Sequence, residues 1–222
     1  MNSGQEGRDG KGRRGRSKRE EILVAATERF GRDGYEHTKW ADIARDVGVG
    51  PTALYHYFES KQHCLYEIMD NAIEDFRARF VRITSDVPDA ARALTAVVED
   101  WFHLAEQDML RNRVLVAEQG LLSRPSPSQR EEDARQAARA RMRDLEFAWA
   151  SFLAAGMREG AIPETEPRLL THAVLGLYNS IWSWYRPGGT SALARVAEYF
   201  TQLTLTLVGV APRAPASERA AA

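Results

Sequence analysis

The residues best suited to chemistry lie close together, between positions 38 and 61. This segment reads TKWADIARDVGVGPTALYHYFESK and combines hydroxyl, phenol, imidazole and ammonium groups. Such groups bind phosphate oxygens and base edges when a helix lies in a DNA groove. The segment therefore predicts a DNA-binding surface. Its candidate contact residues are Thr38, Lys39, Thr52, Ala53, Tyr55, His56, Tyr57 and Lys61.

Two short helices joined by a tight turn would position these side chains. The first helix is predicted from Lys39 to Val47, and Thr38 is its expected N-cap. Gly48 supplies the turn between the helices. The second helix begins at Gly50 and has Pro51 in its first position, where the missing N–H costs nothing.

The second of these helices is expected to have one buried and one exposed side. Leu54 and Phe58 are four residues apart and would pin the helix against its neighbours. That arrangement leaves Tyr55 and His56 on the outer side. We therefore expect a helix-turn-helix unit at residues 39–58. The alternative is an ordinary helical hairpin that carries aromatic residues on its surface.

Apolar residues at helical spacing, without an alternating strand pattern, predict that nearly all of the remaining chain is helical. Ser60 is expected to cap a long helix whose apolar stripe reaches Ile83, and the next helix is expected to start at Pro88. Further helices are predicted at about 17–32, 107–122, 128–158, 167–185 and 191–210. The chain is thus expected to be all-α, with about nine helices.

Composition limits the classes of protein to consider. The chain has 222 residues, of which 44% are hydrophobic, enough for one large domain or two small ones. The single cysteine, Cys64, excludes a disulfide within the chain and favours a reducing cytoplasm. No apolar run reaches the roughly 20 residues of a membrane span, and the N-terminus lacks the apolar core of a secretion signal.

No motif indicates an enzyme. The sequence lacks a G-x-S-x-G elbow, a Walker phosphate loop and a dinucleotide fingerprint. His63 and Cys64 form an isolated doublet with no further metal-ligating residue at helical spacing. We therefore expect no catalytic residues, no cofactor and no metal site.

A basic arm precedes the first helix. The formal net charge of the chain is −1, yet residues 8–19 contain seven Lys and Arg residues against one Asp. A basic segment on a neutral chain is consistent with a nucleic-acid partner. It is equally consistent with a solubilising tail. The arm also leaves open an architectural DNA binder without sequence preference.

The segment from Lys18 to Phe80 resembles the helix-turn-helix domain of the TetR family of bacterial transcriptional regulators. The resemblance implies that residues 52–57 lie on the recognition helix and that Lys61 opens the next helix against the DNA backbone. The sequence departs from the common family pattern at Trp40, Val47, Gly50 and Ala53. The last two departures remove potential hydroxyl contacts, so more of the DNA contact is expected from Thr52, Tyr55, His56 and Tyr57.

The same resemblance implies the domain organisation and the partners. It implies a disordered basic arm at 1–16, a three-helix helix-turn-helix domain at 17–77, a helical ligand-binding and dimerisation domain at 78–210 and a disordered tail at 211–222. The expected partners are double-stranded operator DNA, a second copy of the chain and a small hydrophobic effector, with no membrane. Repression is expected, and activation stays open.

Aromatic and apolar stripes in the C-terminal half suggest where the effector and the second copy bind. The candidate pocket residues are Trp101, Phe102, Phe147, Phe152, Tyr178 and Trp182, with His103 and His172 as polar contacts. The candidate dimer residues on the last helix are Leu193, Val196, Phe200, Leu203 and Leu207. The alternative is that these stripes simply form the core of the monomer.

The sequence WYRPGG at 184–189 resembles a TetR subgroup that includes regulators of steroid and fatty-acid catabolism. Members of that subgroup respond to acyl-CoA thioesters, so the resemblance implies a similar inducer. A drug-like molecule or a signalling lactone would also fit a helical aromatic pocket. For Arg186 the sequence leaves two roles open, stabilising a helix C-terminus or contacting a ligand anion.

Overall fold

The computed structural model describes residues 17–186, 189 and 192–211. Within them the chain forms nine α-helices, one 3₁₀ helix and no strand, which confirms the all-α prediction. The helices are α1 (Lys18–Asp33), α2 (Trp40–Asp46), α3 (Pro51–Leu54), α4 (Lys61–Asp86), α5 (Ala90–Asp100), α6 (Glu106–Glu118), α7 (Gln129–Arg158), α8 (Pro167–Trp184) and α9 (Leu193–Val208), and the 3₁₀ helix is Gln119–Ser123. The predicted arm at 1–16 and all but the first residue of the predicted tail lie outside the described residues.

Capping side chains explain where the two longest N-terminal helices begin. Ser17 and Glu20 form a capping box at α1, in which each side chain accepts a hydrogen bond from the backbone N–H of the other, at 3.3 and 2.9 Å. Ser60 Oγ accepts a hydrogen bond from His63 N at 3.0 Å. The predicted Ser60 cap of α4 is therefore confirmed.

Two predicted helix starts are wrong. Asp89 caps α5 through its carboxylate, so that helix does not begin at Pro88. Lys39, and not Thr38, occupies the N-cap position of α2. The Thr38 hydroxyl instead donates to Gly34 O at 2.8 Å, which holds it in the preceding turn.

Helices α4 and α7 lie side by side and run in the same direction. At their N-termini, Ser60 donates a hydrogen bond to Glu131. Further along, the rings of Phe80 and Trp149 stack with their centroids 4.4 Å apart. Because these contacts follow the same order along both helices, α4 connects the start of the helix-turn-helix segment with the C-terminal core.

The chain has two hydrophobic cores. The N-terminal core includes buried residues of α1 to α4 and is completed by Val114, Leu122 and Ala138 from the C-terminal half. The C-terminal core is built from α4, α5, α7, α8 and α9. The N-terminal half therefore packs directly against the rest of the chain. The predicted boundary at 77–78 falls inside α4 and stays a prediction.

Helices α1 and α6 cross closely at Gly31, where the two halves meet. A Cβ atom on Gly31 would lie 2.9 Å from both Cβ and Cδ2 of Leu110, and 3.2 Å from Leu110 O. These separations are shorter than van der Waals contact, and neither the Leu110 Cβ nor its carbonyl can move without the backbone of α6. The crossing therefore requires glycine.

We expect Gly31→Ala to destabilise the protein by about 1–2 kcal/mol, because overpacking at Leu110 outweighs the better helix propensity of alanine. Urea unfolding measures the change. Gly120→Ala is the matched control, since a Cβ atom there meets no atom within 4 Å. Equal unfolding midpoints for the two variants would contradict the close crossing.

Candidate functional site

The candidate recognition segment is one helical turn followed by hydrogen-bonded turns. Helix α3 ends at Leu54, and Gly50 is its N-cap, with Pro51 in the first helical position as predicted. After it, the backbone N–H of Tyr55 donates to Thr52 O at 3.3 Å, and the next two residues repeat this pattern. Residues 55–57 therefore continue α3 as tighter helical turns, and their place on a recognition helix stays a prediction.

The segment has a buried and an exposed side. Leu54 and Phe58 are fully buried, whereas 54% of Tyr55 is exposed. Thr52 and His56 are also exposed. The structure therefore confirms that Leu54 and Phe58 anchor this segment, and the polar side chains of the segment project outward.

The remaining two members of this segment are less accessible. Ala53 and Tyr57 are half-buried, and Tyr57 packs against the N-terminal core. Their assignment as DNA contacts stays a prediction. The Tyr57 hydroxyl is the group through which that residue would act.

The two candidates at the start of α2 differ in exposure. Lys39 is exposed, so its ammonium group can reach a phosphate. Only 4% of Thr38 is exposed, and its hydroxyl donates to Gly34 O. A phosphate contact by the Thr38 side chain is therefore not available in this conformation, and we do not retain that residue.

Lys61 holds the loop between α1 and α2 in place. Its Nζ donates to Tyr35 O at 2.7 Å and to Thr38 O at 3.1 Å. The same ammonium lies 4.1 Å from the centroid of the Tyr35 ring. Lys61 is thus a positioning residue for the helix-turn-helix unit, and a contact with DNA would use its remaining N–H.

An ion pair fixes α2 against α1. Arg29 Nε donates to Asp46 Oδ2 at 2.6 Å, and Arg29 Nη2 donates to Asp46 Oδ1 at 2.9 Å. The hydrogen bond from Arg29 lowers the pKa of the Asp46 carboxyl below its ordinary value. The two-point contact sets the orientation of α2 relative to α1.

Three of the predicted pocket residues meet in a buried aromatic cluster, which we define as Phe76, Trp101, Trp149, Tyr178 and Trp182. The ring centroids of Trp101 and Tyr178 are 4.8 Å apart, and Tyr178 stacks on Phe76 at 4.8 Å. Trp182 follows at 5.7 Å from Tyr178. The sequence analysis did not identify Phe76 and Trp149 as members of this cluster. An aromatic residue in a helical apolar stripe looks the same in the sequence whether it lines a pocket or fills the core.

Polar groups inside the aromatic cluster are incompletely satisfied. The indole Nε1 atoms of Trp101, Trp149 and Trp182 are buried and have no acceptor among the described residues. Asn112 Nδ2 donates to Tyr178 Oη at 2.8 Å, and burial raises the pKa of Tyr178 above its ordinary value. Because buried donors normally have partners, these three indole N–H groups are the polar groups of the cluster that still need an acceptor.

The other predicted pocket residues lie elsewhere. Phe147 is 73% exposed and lines a separate groove between α7 and α8 together with His172, so its assignment to the effector pocket stays a prediction. Phe152 is half-buried and packs against the C-terminal core. Phe102 and His103 line a 580 Å³ groove between α5 and α9.

The exposed sides of α8 and α9 form an apolar surface, which we call the α8–α9 face. Along α9, Tyr199, Leu203 and Leu207 recur every fourth residue and are 61, 37 and 44% exposed. Along α8, the exposed residues include Gly176, on which a Cβ would meet no atom within 4 Å, and the large apolar side chains of Leu169 and Trp184. The face can therefore approach another helix closely.

The predicted dimer residues divide between this face and the core. Leu203 and Leu207 lie on the face, whereas Val196 is only 6% exposed and belongs to the chain's own core. Leu193 and Phe200 are half-buried against that core. We therefore do not retain Val196 as a partner contact, and Tyr199 replaces it.

The described residues contain neither a membrane-spanning helix nor a cluster of metal-ligating side chains. Among the residues that the structure describes, no helix has both the length and the hydropathy of a membrane span. Within the same residues, no three His, Cys, Asp or Glu side chains come together as metal ligands.

Comparison with known families gives two matches. Residues 22–68 match the family described as bacterial regulatory proteins, tetR family. Residues 88–208 match the tetracyclin repressor-like C-terminal domain. The first match contains the helix-turn-helix segment, and the second contains the α8–α9 face and every member of the aromatic cluster except Phe76.

Individual proteins are similar over most of the chain. The HTH-type transcriptional repressor KstR2 of Rhodococcus jostii (strain RHA1) is 26% identical over 209 residues, which cover 89% of this chain and 93% of that protein. The solved structure of KstR2 of Mycobacterium tuberculosis has a TM-score of 0.70 at 24% identity and covers 89% of this chain and 96% of that one. AibR in complex with isovaleryl coenzyme A and operator DNA has a TM-score of 0.70 at 18% identity, with coverages of 84 and 97%. At these identities the two structural likenesses show a shared fold.

Proposed function

Because the chain belongs to the TetR family of bacterial regulatory proteins, whose members are transcriptional regulators and not enzymes, we propose that it is a homodimeric repressor of a specific operator. A small hydrophobic effector, such as an acyl-CoA thioester, would release the dimer from its double-stranded DNA. We propose that the protein acts in the cytoplasm, where this DNA partner lies.

The observation that carries the DNA-binding proposal is the two-sided recognition segment. Leu54 and Phe58 are buried while Tyr55 and His56 are exposed. Phenol and imidazole groups on a fixed turn can donate to phosphates and base edges. An ordinary surface hairpin does not require such a short helix to be anchored firmly while its polar groups find no hydrogen-bond partner among the described residues.

The α8–α9 face supports the dimer. Three large apolar side chains in one row on α9, beside exposed apolar and small residues of α8, are typical of a surface that another copy covers. A two-fold dimer would set the recognition segments at a separation that matches successive major grooves, roughly 34–36 Å apart. Each copy then reads one half of a symmetric operator.

The aromatic cluster supports an effector with an apolar body and an acceptor oxygen. Stacked rings favour an apolar ligand, and a carbonyl oxygen suits the indoles of Trp101, Trp149 and Trp182, which have no acceptor among the described residues. The complex of AibR with isovaleryl coenzyme A is a structural precedent for an acyl-CoA thioester. A drug-like or signalling molecule with a carbonyl group is the alternative effector.

A mobility-shift experiment tests the DNA-binding proposal. We expect the protein to bind DNA from upstream of its own gene, or a site selected from random duplexes, at least about 1,000-fold more tightly than unrelated duplexes at moderate salt. Equal affinity for all duplexes would contradict the repressor and support an architectural binder. Absence of DNA binding would contradict both.

A further inference from the structure

Helix α4 begins with a capping arrangement that contains a histidine. In a capping box, the N-cap Ser or Thr is followed three residues later by Glu or Gln, whose side chain accepts a hydrogen bond from the backbone at the cap. Helix α1 has this form, with Ser17 and Glu20. At α4 the N-cap is Ser60, and the residue three positions later is His63. The backbone N–H of Glu59, one residue before the cap, donates to His63 Nδ1 at 3.1 Å, so an imidazole takes the place of the carboxylate.

The hydrogen bond from Glu59 requires a neutral His63 ring. A ring nitrogen that accepts a hydrogen bond carries no proton, so the proton of the neutral ring lies on Nε2. His63 Nε2 is 3.1 Å from Glu67 Oε1, which is placed to accept that proton in a hydrogen bond. Only 6% of His63 is exposed, so solvent has little access to replace either partner. The two contacts together select one tautomer of the neutral imidazole.

Carboxylate and imidazole acceptors respond differently to pH. A glutamate carboxylate is an acceptor throughout the physiological range, whereas an imidazole gains a second proton between about pH 8 and pH 5. In His63 that proton goes to Nδ1, which faces the backbone N–H of Glu59. Two donors that face each other cannot form a hydrogen bond, and a buried donor without an acceptor is unfavourable. Acidification therefore breaks the contact between His63 and the residue before the cap.

The charged groups around His63 give a protonated ring another place to turn. His63 lines a groove of 390 Å³ between α4 and α7. The charged residues around it are Glu67 and Asp70 on α4, Arg19 on α1, Glu59 before the cap, and Arg130, Asp133 and Arg141 on α7. Carboxylates outnumber guanidinium groups in this set, so they attract an imidazolium ring. A protonated ring that leaves Glu59 can therefore move into the groove.

The His63 contact lies at the end of the recognition segment. Glu59 directly follows Phe58, one of the two buried anchors of that segment. The rings of Phe58 and His63 meet edge-on, with centroids 5.8 Å apart. Phe58 also meets Trp40 of α2 edge-on, at 6.4 Å. Movement of the His63 ring therefore disturbs the packing of both the recognition segment and α2.

The loop at Glu59 is also held by α7. Ser128 Oγ donates to Glu59 Oε2 at 2.5 Å, and Ser60 donates to Glu131. Because these bonds fix the loop from the α7 side, its backbone N–H cannot simply rotate away from a protonated ring. The loop yields only by moving together with Phe58, which is the residue that anchors the recognition segment.

We infer, on the premise of the proposed DNA-binding function, that His63 is a positioning residue of the recognition segment and holds it in the DNA-binding arrangement only while its imidazole is neutral. Operator affinity is then high at slightly alkaline pH and falls as the pH decreases. His63 acts through the backbone of Glu59 and the ring of Phe58, and does not itself contact DNA. The DNA-binding unit is thus regulated by pH.

The pH profile of operator affinity tests the role of His63. Fluorescence anisotropy measures the affinity of the full chain for the operator found by mobility shift, at constant ionic strength, from about pH 8 to about pH 5.5. His63→Gln is the key variant, because glutamine is a standard third residue of a capping box and its amide oxygen accepts at every pH. We expect the wild type and this variant to bind alike at the upper pH, and the wild type to bind about 10-fold more weakly than the variant at the lower pH. The ratio of the two affinities at each pH cancels the titration of His56, which both proteins share.

Three further substitutions complete this comparison. His63→Ala removes the acceptor at every pH, so at the upper pH it should already bind about 10-fold more weakly than His63→Gln. His37→Gln is the matched control, because His37 is exposed, lies in the same half of the chain and has no hydrogen-bond partner among the described residues. It should keep the pH profile of the wild type. If His63→Gln does not fold, His63→Glu replaces it and restores the carboxylate of the box in α1. A constant ratio of wild-type to variant affinity across the pH range would overturn the inference.

The free protein provides a second measurement that needs no DNA. We expect the NMR shift of the Glu59 amide to change over the same pH range in the wild type and to stay constant in His63→Gln. A Glu59 amide that does not respond to pH in the wild type overturns the inference, whatever the operator measurements give. Absence of operator binding by the wild type at every pH overturns the proposed function instead, and the Glu59 amide then still reports whether His63 releases the loop.

Discussion

Leu203→Glu is expected to convert the protein into a monomer and to weaken its operator binding by about 100-fold or more. Leu203 lies between Tyr199 and Leu207 in the apolar row of α9. If a second copy covers this row, the substitution places two carboxylates in a dry interface, where an unpaired charge is strongly unfavourable. The monomer retains one recognition segment and loses the gain from binding both half-sites together.

Sedimentation equilibrium measures the mass of the variant, and a mobility shift measures its operator affinity. Val81→Glu is the matched control, because Val81 is also a 37% exposed aliphatic residue in the middle of a helix, α4. We expect the control to remain dimeric and to bind DNA normally. A dimeric Leu203→Glu variant with full affinity would place the interface elsewhere on the molecule.

Local signals were enough to predict most of the fold. The Ser60 cap and Pro51 at the start of α3 each act within one helical turn, so they can be recognised without knowing the tertiary structure. The same holds for the anchoring of the recognition segment by Leu54 and Phe58. Where a local signal failed, as for Thr38, a competing acceptor four residues earlier had taken the hydroxyl.

The candidate site was less predictable because its decisive contacts join distant residues. Lys61 looks like a phosphate contact in the sequence, yet its ammonium is held by two backbone carbonyls of the α1–α2 loop. Every residue has a backbone carbonyl, so the sequence does not show which carbonyl will accept a hydrogen bond from a given side chain. Arg113, which links α1 to the end of α8, was missed for the same reason.

Helix α9 shows a third limit of the sequence pattern. Apolar residues occupy a wide arc of this helix, opposite a polar stripe that includes Glu198 and Gln202, so its hydrophobic spacing fits more than one inward face. The structure turns Val196 into the core and leaves Tyr199 outside. Only the packing of α9 against α5 and α8 decides which stripe remains for a partner.

The contacts between the two halves indicate how an effector would act on DNA binding. The α4–α7 pair and the α1–α6 crossing both join the helix-turn-helix half to the C-terminal core. A ligand that binds one arrangement of α6 better than another shifts the population toward it. Through Leu110 and Arg113 at Gly31, that shift would change the orientation of α1 and hence the spacing of two recognition segments.

Tyr55→Ala is expected to lower operator affinity by about 10- to 100-fold, since one good contact in a DNA interface contributes roughly 1–3 kcal/mol. Tyr55 is 54% exposed and its side chain makes no hydrogen bond within the described residues. The truncation therefore removes the contact with DNA and leaves the fold intact. Unfolding midpoint and dimer mass should match those of the wild type.

Tyr55→Phe separates the two parts of this side chain. If the hydroxyl contacts a phosphate or a base edge, the phenylalanine variant should lose most of the affinity that the alanine variant loses. If the ring packs against the sugar-phosphate backbone, phenylalanine should retain it. Wild-type operator affinity in both variants would remove Tyr55 from the interface, and with it the assignment of this segment as the DNA-reading element.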